Sequence, residues 1–394
     1  MSTEQTILKQ NNPFKVLILM ETSEKSQREW LRGILSYAKW NGPWEIYLKT
    51  GYANQAEMIL EPGNLNYDGL IGSAVSKTYC DIILQSKIPT LVIEPFELIH
   101  DFPVEHFHVL KSDTRAAGQK GAEYLLARNW NHYAYLHDGN LQEWSLIRGE
   151  GFAEKIEEEG FRCFVFKEKF CHGYNAKMTE WLVSLPKPVA LMAANDFHGR
   201  LVIECCRLAG IRVPEEIAVL GVDNDEIYCE ATYPTLTSLT MTGEAAGYEG
   251  GALLDQMMRG KKFDNTVFII SKPGEIAERE STAFHFNADP IVSAAMEYIH
   301  LNLDVNFTTE DIAESLDISR RTLEQKFRKV KNTTIRQEIV RMRLEKAKFL
   351  LRETDYTLSK IALLSGFSNV SYLALVFRKM FNQTLMEYRN AEKK

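Results

Sequence analysis

The stretch "IALLSGFSNVSYLALVFRKMF", residues 361–381, contains an apolar helical pattern that stops at Gly366 and a second one that ends near a basic pair. The same arrangement occurs earlier in "IAESLDISRRTLEQKFRKV", residues 312–330, which also opens with Ile-Ala and closes with Phe-Arg-Lys. Two short helices joined by a tight turn form a helix-turn-helix unit. The sequence therefore predicts two such units in a C-terminal region that carries only helical patterns.

The second helix of the first unit has an apolar face and a polar face. Ser319 is a natural N-cap for this helix, and Leu323 and Phe327 share the face that packs on the core. The opposite face presents Arg321, Gln325 and Arg328, with Glu324 on its flank. A short helix that presents Arg and Gln outward suits the major groove of DNA. A helical hairpin that only packs against another helix is the alternative, but the duplication favours DNA binding.

A longer helix is predicted between the two units, in "TIRQEIVRMRLEKAKFLLRET", residues 334–354. Its apolar stripe consists of Ile339, Leu344, Ala347 and Leu351. A helix of about 20 residues is about 30 Å long, and one turn of B-DNA measures about 34 Å. The two recognition helices are therefore predicted to enter successive major grooves on one face of the duplex.

The charge of the chain is distributed unevenly. Its formal net charge is −7, yet residues 289–394 contain 18 Lys and Arg against 14 Asp and Glu. Residues 317–352, which include the first recognition helix, hold 12 basic and 4 acidic side chains. A basic run often marks only a solvated helix face. Its coincidence with the duplicated unit favours a polyanionic partner.

The N-terminal two thirds of the chain alternates predicted strands with amphipathic segments. The predicted strands are residues 15–20, 44–49, 69–72, 89–94, 132–137, 163–167, 189–194 and 218–223. The predicted helices include residues 114–128, 149–160 and 197–210. Most of the strands are continuous apolar runs, which is typical of strands buried on both faces of a parallel sheet. The alternation predicts a doubly wound α/β architecture with two lobes.

The expected organisation is a flexible N-terminus (1–13), a two-lobed sensing domain (14–284), a linker (285–289) and a helical DNA-binding domain (290–394). The boundary is placed at the polar segment "HFNADP", after which no strand pattern follows. The first residues lack the basic start and apolar stretch of a signal peptide. No apolar run approaches the roughly 20 residues that span a bilayer. We therefore expect a cytoplasmic protein.

Catalytic and metal motifs are absent from the sequence. No G-x-x-x-x-G-K-[ST] loop occurs, no G-x-G-x-x-G follows a strand, and the glycines of "GEAAGYEGG", residues 243–251, are too irregular for a phosphate loop. None of the six cysteines lies in a C-x-x-C pair, and "HFH", residues 106–108, has no third ligand in sight. An enzyme acting on a sugar, with a DNA-binding appendage, is the weaker alternative. We expect no catalytic residue, metal or cofactor.

The C-terminal region, about residues 290–390, resembles an AraC-type DNA-binding domain in its two helix-turn-helix segments and in "RLEKAKFLL", residues 343–351. The resemblance implies base contacts at Arg321, Glu324 and Gln325. Asn332 stands where a glycine commonly follows the first unit, and Asn tolerates the left-handed conformation. We expect the DNA-binding residues to be Ser319, Arg320, Arg321, Glu324, Gln325, Arg328, Asn369, Ser371, Ala374 and Leu375.

The second recognition helix departs from the usual pattern of the AraC-type domain. Ser371, Ala374 and Leu375 occupy positions where polar base-reading side chains are common, and Asn369 remains a polar contact at the N-terminus of the helix. Small and apolar side chains of this kind contact thymine methyl groups and phosphates. We therefore expect this helix to add affinity more than sequence discrimination.

The sensing region resembles the LacI-type regulators and the periplasmic sugar-binding proteins over about residues 14–284. The resemblance is carried by four phrases, which are "KSDTRAAGQKGAEYLLARNW" (111–130), "WSLIRGEGFAEKIEEEGF" (144–161), "LMAANDFHGRLVIECCRLAGIRVPEEIAVLGVDNDE" (191–226) and "YPTLTSL" (233–239). It implies two Rossmann-like lobes around a hinge, with the ligand bound in the cleft between them.

Several charged residues occupy positions suited to that cleft. Ligands of open α/β sheets bind beyond the carboxyl ends of the strands, where Asp196 and Asp223 are expected. Carboxylates and an Arg supply acceptors and donors for sugar hydroxyls. The predicted effector-binding residues are Arg28, Asp113, Arg148, Asn195, Asp196 and Asp223, of which the resemblance implies all but Asp196. A helix cap or a hinge turn is the alternative for the aspartates.

The order of the two regions is informative. LacI-type regulators carry their DNA-binding domain at the N-terminus, whereas here an AraC-type domain follows the sensing region. This composite resembles the layout of the xylose operon regulator family. The resemblance implies a homodimeric activator that binds promoter DNA, responds to D-xylose or a similar sugar, and acts on RNA polymerase. A regulator whose cleft senses a protein partner or a non-sugar ligand is the alternative.

Overall fold

The computed structural model describes residues 12–50, 66–73, 88–94, 107–166, 168–170, 176–283 and 290–392. The chain divides into two compact units, residues 1–284 and 285–394. The predicted linker 285–289 and most of the predicted flexible N-terminus lie outside the described residues. No helix among the residues described is both long and apolar enough to cross a membrane.

Strands and helices alternate along the first unit. The strands are β1 (Phe14–Leu19), β2 (Trp44–Lys49), β3 (Gly69–Ser73), β4 (Thr90–Ile93), β5 (Phe107–Ser112), β6 (His132–Leu136), β7 (Cys163–Phe166), β8 (Val189–Ala193), β9 (Ile217–Val222), β10 (Thr237–Met241), β11 (Phe268–Ser271) and β12 (Pro273–Ala277). The helices are α1 (Lys25–Asn41), α2 (Thr114–Leu126), α3 (Glu143–Glu158), α4 (Ala176–Ser184), α5 (Asp196–Leu208), α6 (Glu226–Glu230) and α7 (Gly243–Met258). All eight predicted strands are confirmed.

The strands form two six-stranded sheets, one for each lobe. The first sheet has the order β11-β5-β4-β3-β1-β2 and is parallel throughout; the second has the order β12-β10-β9-β8-β6-β7, with only β12 antiparallel to its neighbour. The central strands are buried along their whole length, as β4, β8 and β9 illustrate. Apolar side chains on both faces of each sheet explain why the strands are continuous apolar runs.

One helix differs from its prediction. The segment predicted as 149–160 is helix α3, which begins at Glu143, so Arg148 lies inside this helix rather than before it. Gly149 and Gly151 weaken its amphipathic pattern because both are closely packed, Gly149 against Tyr135 and His137 and Gly151 against the carbonyl oxygen of Arg115 on α2. A Cβ on Gly118 of α2 would lie 2.0 Å from the carbonyl oxygen of Arg148. The two helices therefore approach so closely that only glycine fits at this position.

The lobes are joined by three neighbouring crossings of the chain, at Asp113, Thr242 and Lys272. The backbone N–H of Asp113 donates to the carbonyl of Ser271 at 2.8 Å, and that of Thr242 donates to the carbonyl of Lys272 at 2.9 Å. The backbone N–H of Lys272 in turn donates to the Thr242 hydroxyl at 2.9 Å. These hydrogen bonds hold the three crossings together and form the hinge.

The second unit is helical in the residues described. Its helices are α8 (Pro290–Leu301), α9 (Thr309–Ser315), α10 (Arg320–Lys331), α11 (Ile335–Glu353), α12 (Leu358–Leu364), α13 (Val370–Phe381) and α14 (Leu385–Glu392). Helices α9 and α10 form the first helix-turn-helix unit, and α12 and α13 form the second. The predicted apolar stripe of the connecting helix α11 is buried, and its 19 residues span about 28 Å at the usual rise.

The helix ends follow the predicted capping. Ser319 accepts a hydrogen bond from the N–H of Thr322. Asn332 ends α10 in the left-handed conformation with φ 51°, which confirms the expectation for this position, and Asn382 ends α13 in the same way with φ 57°. The two units thus share their terminating residue as well as their opening pattern.

Candidate functional site

A cavity of ≈ 320 Å³ lies between the two lobes of the first unit. It is lined by Ser23, Glu24, Lys25, Asp138, Asn140, Gln142, Trp144, Asn195, Asp196, Phe197, His198, Asp223, Asp225 and Tyr228. A smaller chamber of ≈ 50 Å³ adjoins it and shares Glu24, Trp144, Asn195 and Asp223 with it. The lining combines a few aromatic rings with many hydrogen-bonding groups, which is the composition of a site for a small polar ligand.

Arg148 extends from α3 into the smaller chamber. The residue is only 4% exposed, and its Nη1 donates to the carbonyl oxygen of Ala194 at the carboxyl end of β8. Its Nε finds no hydrogen-bond acceptor among the described residues. The guanidinium carbon lies 5.1 Å from the centre of the Trp144 ring. A buried donor without an acceptor is costly, so this atom is suited to bind an oxygen of a ligand.

Asp223 follows strand β9 in the left-handed backbone region, with φ 96°. Burial raises the pKa of its carboxyl, and the nearby Arg148 opposes that rise. Such a backbone conformation is rare for a residue with a Cβ and persists where the surrounding structure imposes it. The loop therefore presents this carboxylate to both cavities.

Asp196 holds that loop in place. Its Oδ1 accepts from the Ser238 hydroxyl at 2.5 Å and its Oδ2 accepts from the N–H of Asp225 at 2.6 Å. Burial and the neighbouring Asp223 raise its pKa well above the ordinary value. Both oxygens are occupied and the residue is 2% exposed. Asp196 therefore acts as a positioning residue for the loop, although it also borders the cavity.

Further carboxylates surround Asp223. Burial, together with the charges of Asp223, Glu94 and Glu21, raises the pKa of Glu24 to about 6. The Glu24 residue as a whole is exposed at the cleft, while protein atoms surround its carboxylate. Glu94, directly after β4, has φ 40° and accepts from the N–H of Ser112 at 2.9 Å, and burial raises its pKa. These groups are hydrogen-bond acceptors suited to hydroxyl donors.

Aromatic rings form one wall of the larger cavity. The Trp144 indole is fixed by a hydrogen bond from its Nε1 to Gln142 Oε1 at 2.6 Å. Phe197 packs edge-on against Tyr228 with a centroid distance of 5.5 Å. Flat apolar faces of this kind stack against the C–H faces of a sugar ring and complement the polar groups opposite.

Two predicted effector-binding residues have other roles. Asp113 lies at the hinge, and its Oδ1 caps α2 by accepting from the N–H of Ala116 at 3.1 Å. Arg28 pairs with Asp225 of the opposite lobe at 2.7 Å. Neither residue lines the two cavities described above. The hinge alternative therefore fits Asp113, and Arg28 joins the lobes across the cleft.

The structure brings Arg148, Asn195 and Asp223 together around the smaller chamber. Asn195 also caps α5, because its Oδ1 accepts from the N–H of His198 at 3.1 Å. Sequence reasoning missed Glu24 and Glu94, which line the same chamber. Glu94 carried a usable signal, because it directly follows an apolar strand, as Asp223 does.

The first recognition helix presents most of its predicted DNA-binding side chains to solvent. Arg321, Gln325 and Arg328 are exposed, while Leu323 and Phe327 are fully buried, as predicted. The predicted contacts Arg320 and Glu324 are joined to each other, with Arg320 Nε donating to Glu324 Oε1 at 2.7 Å. Glu310 of the preceding helix also pairs with Arg320. Ser319 and Arg320 are exposed at the N-terminus of this helix.

The second recognition helix has a more apolar outer face. Leu375 is 67% exposed, and Ser371 beside it is exposed as well. Ala374 is partly buried against the hydrophobic core formed by α11, α12, α13 and α14, which limits its contact with DNA. Asn369 caps the helix by accepting from the N–H of Tyr372 at 2.8 Å, so its side-chain oxygen is already occupied.

No group of three or more potential metal ligands occurs in the part of the chain that the structure describes.

Two family models match the chain: a periplasmic binding protein-like domain matches residues 122–282, and a helix-turn-helix domain matches residues 312–391. The first covers most of the second lobe together with α7 and β11 of the first lobe. The second covers both recognition helices.

Two relatives match the chain along almost its whole length. The chain is 27% identical over 384 residues to the xylose operon regulatory protein of Haemophilus influenzae, covering 95% of this chain and 98% of that protein. It is 24% identical over 386 residues to the xylose operon regulatory protein of Escherichia coli K12, covering 95% of this chain and 97% of that protein. The order of sensing and DNA-binding regions is therefore shared with these relatives.

A solved structure of a xylose-binding transcription activator superposes on the chain with a TM-score of 0.78 at 22% identity, covering 98% of this chain and 100% of that one. At this identity the likeness shows the fold. The predicted fold class, a two-lobed periplasmic-binding-protein-like α/β domain with an all-helical domain of two helix-turn-helix units, is confirmed. The resemblance of the whole layout to the xylose operon regulators is confirmed as well.

Proposed function

Since this chain belongs to the transcriptional regulators that join a periplasmic-binding-protein-like sensor domain to a C-terminal helix-turn-helix DNA-binding domain, we propose that it activates an operon for the use of D-xylose or a related sugar. The chain is a regulator and not an enzyme. The sugar is the signal, and promoter DNA is the target. We place the protein in the cytoplasm, where it acts as a homodimer on RNA polymerase.

The observation that carries the proposal is the cavity between the lobes, with its acidic side chains and aromatic wall. A sugar presents hydroxyl groups that both donate and accept hydrogen bonds. Glu24 and Asp223 supply acceptors, while the side-chain amide N–H of Asn195 and the free Nε of Arg148 supply donors. The indole of Trp144 completes the site with an apolar face.

The effect of the sugar on DNA binding follows from the position of this cavity between two lobes that share a hinge. A ligand that contacts both lobes stabilises one mutual orientation of them. Such a ligand alters DNA binding only when its affinity differs between the two conformations. We therefore propose that the sugar favours the lobe arrangement in which the dimer binds its promoter repeats.

A thermal-shift screen of the full chain with D-xylose, L-arabinose, D-ribose, D-glucose and D-galactose tests the effector site. A ligand present at 100 times its Kd stabilises the protein by about 2.7 kcal/mol. We expect one of the pentoses to raise Tm, and the Asp223→Asn variant to lose the response. Glu249→Gln, at an exposed position on α7, is the matched control. A chain that responds to no sugar would instead support a protein partner or a non-sugar ligand.

A further inference from the structure

The helical unit contains two separate hydrophobic cores. The first core combines side chains from α8, α9 and α10 with Ile335 and Ile339 from the start of α11. The second combines Leu344, Ala347 and Leu351 from the rest of α11 with side chains from α12, α13 and α14. Among the described residues no buried apolar cluster contains both sets. The mutual orientation of the two helix-turn-helix units therefore depends on α11 and on whatever polar contacts cross the boundary.

Arg343 lies on α11 at that boundary, between Ile339 of the first core and Leu344 of the second. Its Nε donates to the carbonyl of Leu303 at 3.1 Å, and its Nη2 donates to the carbonyl of Val305 at 2.6 Å. Both carbonyls belong to the loop between α8 and α9, on the side of the first helix-turn-helix unit. A guanidinium that binds two carbonyls at once fixes direction as well as distance, because its donors form a rigid planar fork.

The same loop also contacts the second helix-turn-helix unit. Gly366 forms the turn between α12 and α13 and has φ +74°. A Cβ built on it would lie 2.1 Å from the Leu303 oxygen and 2.7 Å from Arg343 Nε. The Leu303 carbonyl is thus held between the Arg343 side chain and the turn of the second helix-turn-helix unit. A rotation of one helix-turn-helix unit against the other would break this contact among Leu303, Arg343 and Gly366.

The Arg343 side chain also contacts an aromatic ring on the side of the first helix-turn-helix unit. Its guanidinium carbon lies 5.5 Å from the centre of the Phe307 ring, and that ring packs edge-on against Tyr298 of α8. Burial lowers the pKa of Arg343 because its charge is partly removed from water, which makes the two carbonyl acceptors important partners.

We propose that Arg343 is a positioning residue that sets the spacing between two DNA half-sites, which are the segments bound by the two helix-turn-helix units of one chain. It does so because it locks the first helix-turn-helix unit against the turn of the second. The inference rests on the proposed DNA-binding function and adds a specificity determinant that contacts no base. One inserted base pair rotates one half-site against the other by about 35°, given roughly 10 base pairs per turn. A rigid pair of units tolerates such a rotation poorly, and a loosened pair tolerates it better.

The test uses the full chain and a duplex selected by that chain from a random library. The selected site is resynthesised with one or two base pairs inserted or deleted between its half-sites, and Kd is measured for each duplex. For the unaltered chain we expect each one-base-pair change to weaken binding at least about tenfold, which corresponds to about 1.4 kcal/mol. For Arg343→Ala we expect that penalty to fall to about threefold or less, with weaker binding to the best site.

Arg341→Ala is the matched control, because it removes the same charge from the same helix. Arg341 pairs with Glu338 three residues earlier on α11. We expect this variant to retain the sharp spacing preference. Arg343→Lys keeps the charge but not the planar fork, so it serves as the milder variant if Arg343→Ala does not fold. It is expected to broaden the spacing preference as well.

The inference is overturned if Arg343→Ala, or Arg343→Lys where the alanine variant does not fold, shows the same spacing profile as the unaltered chain. It is also overturned if the unaltered chain itself shows no spacing preference. A chain that selects no duplex with or without sugar contradicts the proposed function instead. The two failures are thus distinguishable in one experiment.

Discussion

The guanidinium of Arg28 on α1 lies 2.7 Å from the carboxylate of Asp225, and this ion pair joins the first lobe to the second across the cleft. Lys25, one turn earlier on the same helix, adds a second link by donating to the carbonyl of Asn224. Asp225 is itself fixed by its N–H bond to Asp196. The loop that presents Asp223 to the cavity is therefore held by both lobes at once.

We predict that Arg28→Ala weakens effector binding about five- to thirtyfold. The pair is partly buried, and the loss of a charge-assisted hydrogen bond of this kind costs about 1–2 kcal/mol. Calorimetric titration with the responding sugar measures the change. Arg32→Ala, an exposed arginine on the same helix, should leave the affinity unchanged. An unaltered Kd in Arg28→Ala would show that the ion pair does not contribute to effector binding.

Glu24 should make effector binding sensitive to pH. Its pKa is about 6, so falling pH protonates a carboxylate that serves as an acceptor for sugar hydroxyls. We expect affinity to decline as the pH falls through about 6, approaching a tenfold loss per unit below the pKa. The same titration, recorded on Glu24→Gln, should be nearly flat in this range. Equal slopes in the two proteins would exclude Glu24 as the titrating acceptor.

The stability of the effector-free protein should follow the opposite trend. The pKa of Glu24 is raised in the folded state from the ordinary 4.5, so the folded chain binds this proton more tightly than the unfolded chain. Stability therefore rises as the pH falls from above 6 towards 4.5, as far as this group is concerned. Chemical denaturation of the unaltered chain and Glu24→Gln at pH 7 and 5 measures the difference.

Gly118→Ala should lower effector affinity as well as stability. The new Cβ would lie 2.0 Å from the carbonyl oxygen of Arg148, so α3 must move and carry Arg148 with it. Overpacking of this kind costs about 1–3 kcal/mol. Gly251→Ala is the matched control, because its Cβ would meet Tyr37, which lines neither cavity. Both variants should have a lower Tm than the unaltered chain. Only Gly118→Ala should also bind the sugar more weakly.

The sequence predicted the strands and the duplicated helices because both carry strong local patterns. Continuous apolar runs marked β4, β8 and β9, and the spacing of Leu323 and Phe327 marked the buried face of α10. The start of α3 was missed because Gly149 and Gly151 interrupt its apolar stripe; Gly149 packs against Tyr135 and His137, and Gly151 packs against the carbonyl oxygen of Arg115 on α2. Tertiary contacts of this kind leave no periodic signal in a single sequence.

The lining of the cleft was predicted in part for a similar reason. Asp223 and Arg148 line the cavities as expected for the predicted effector site, whereas Asp113 caps a helix at the hinge and Arg28 pairs across the cleft. The residue types suit either role, because a carboxylate before a helix is an N-cap as readily as a ligand contact. Only the fold shows which acceptors are already occupied.

The first recognition helix should depend on Arg321 more than on Arg320. Arg320 already pairs with Glu310 and Glu324 on the protein surface, whereas Arg321 points away from the core. We predict that Arg321→Ala costs about 1–3 kcal/mol of DNA affinity and relaxes sequence preference at one position. Arg320→Ala should have a smaller effect. Competition binding against a library of single-base variants of the selected site measures both quantities.

The second recognition helix should read thymine methyl groups through Leu375. This side chain is 67% exposed beside Ser371 and has no polar atom with which to read a base edge. Replacing thymine by deoxyuridine in the second half-site removes only the methyl groups, and we expect the unaltered chain to bind the substituted duplex more weakly. Leu375→Ser should bind both duplexes equally. A penalty that persists in Leu375→Ser would assign the methyl contact to another residue.

Control of DNA binding by a sugar in the cleft requires that the sugar change the affinity of the helical domain for DNA. The decisive measurement is the Kd of the full chain for its selected duplex, with and without saturating D-xylose or whichever sugar raises Tm. We expect tighter DNA binding with the sugar, by at least about fivefold, given the usual range of coupling energies. We also expect Asp223→Asn to abolish this difference while it retains DNA binding without sugar. The same Kd in the presence and absence of a sugar that demonstrably binds the chain would show that the cleft does not control DNA binding.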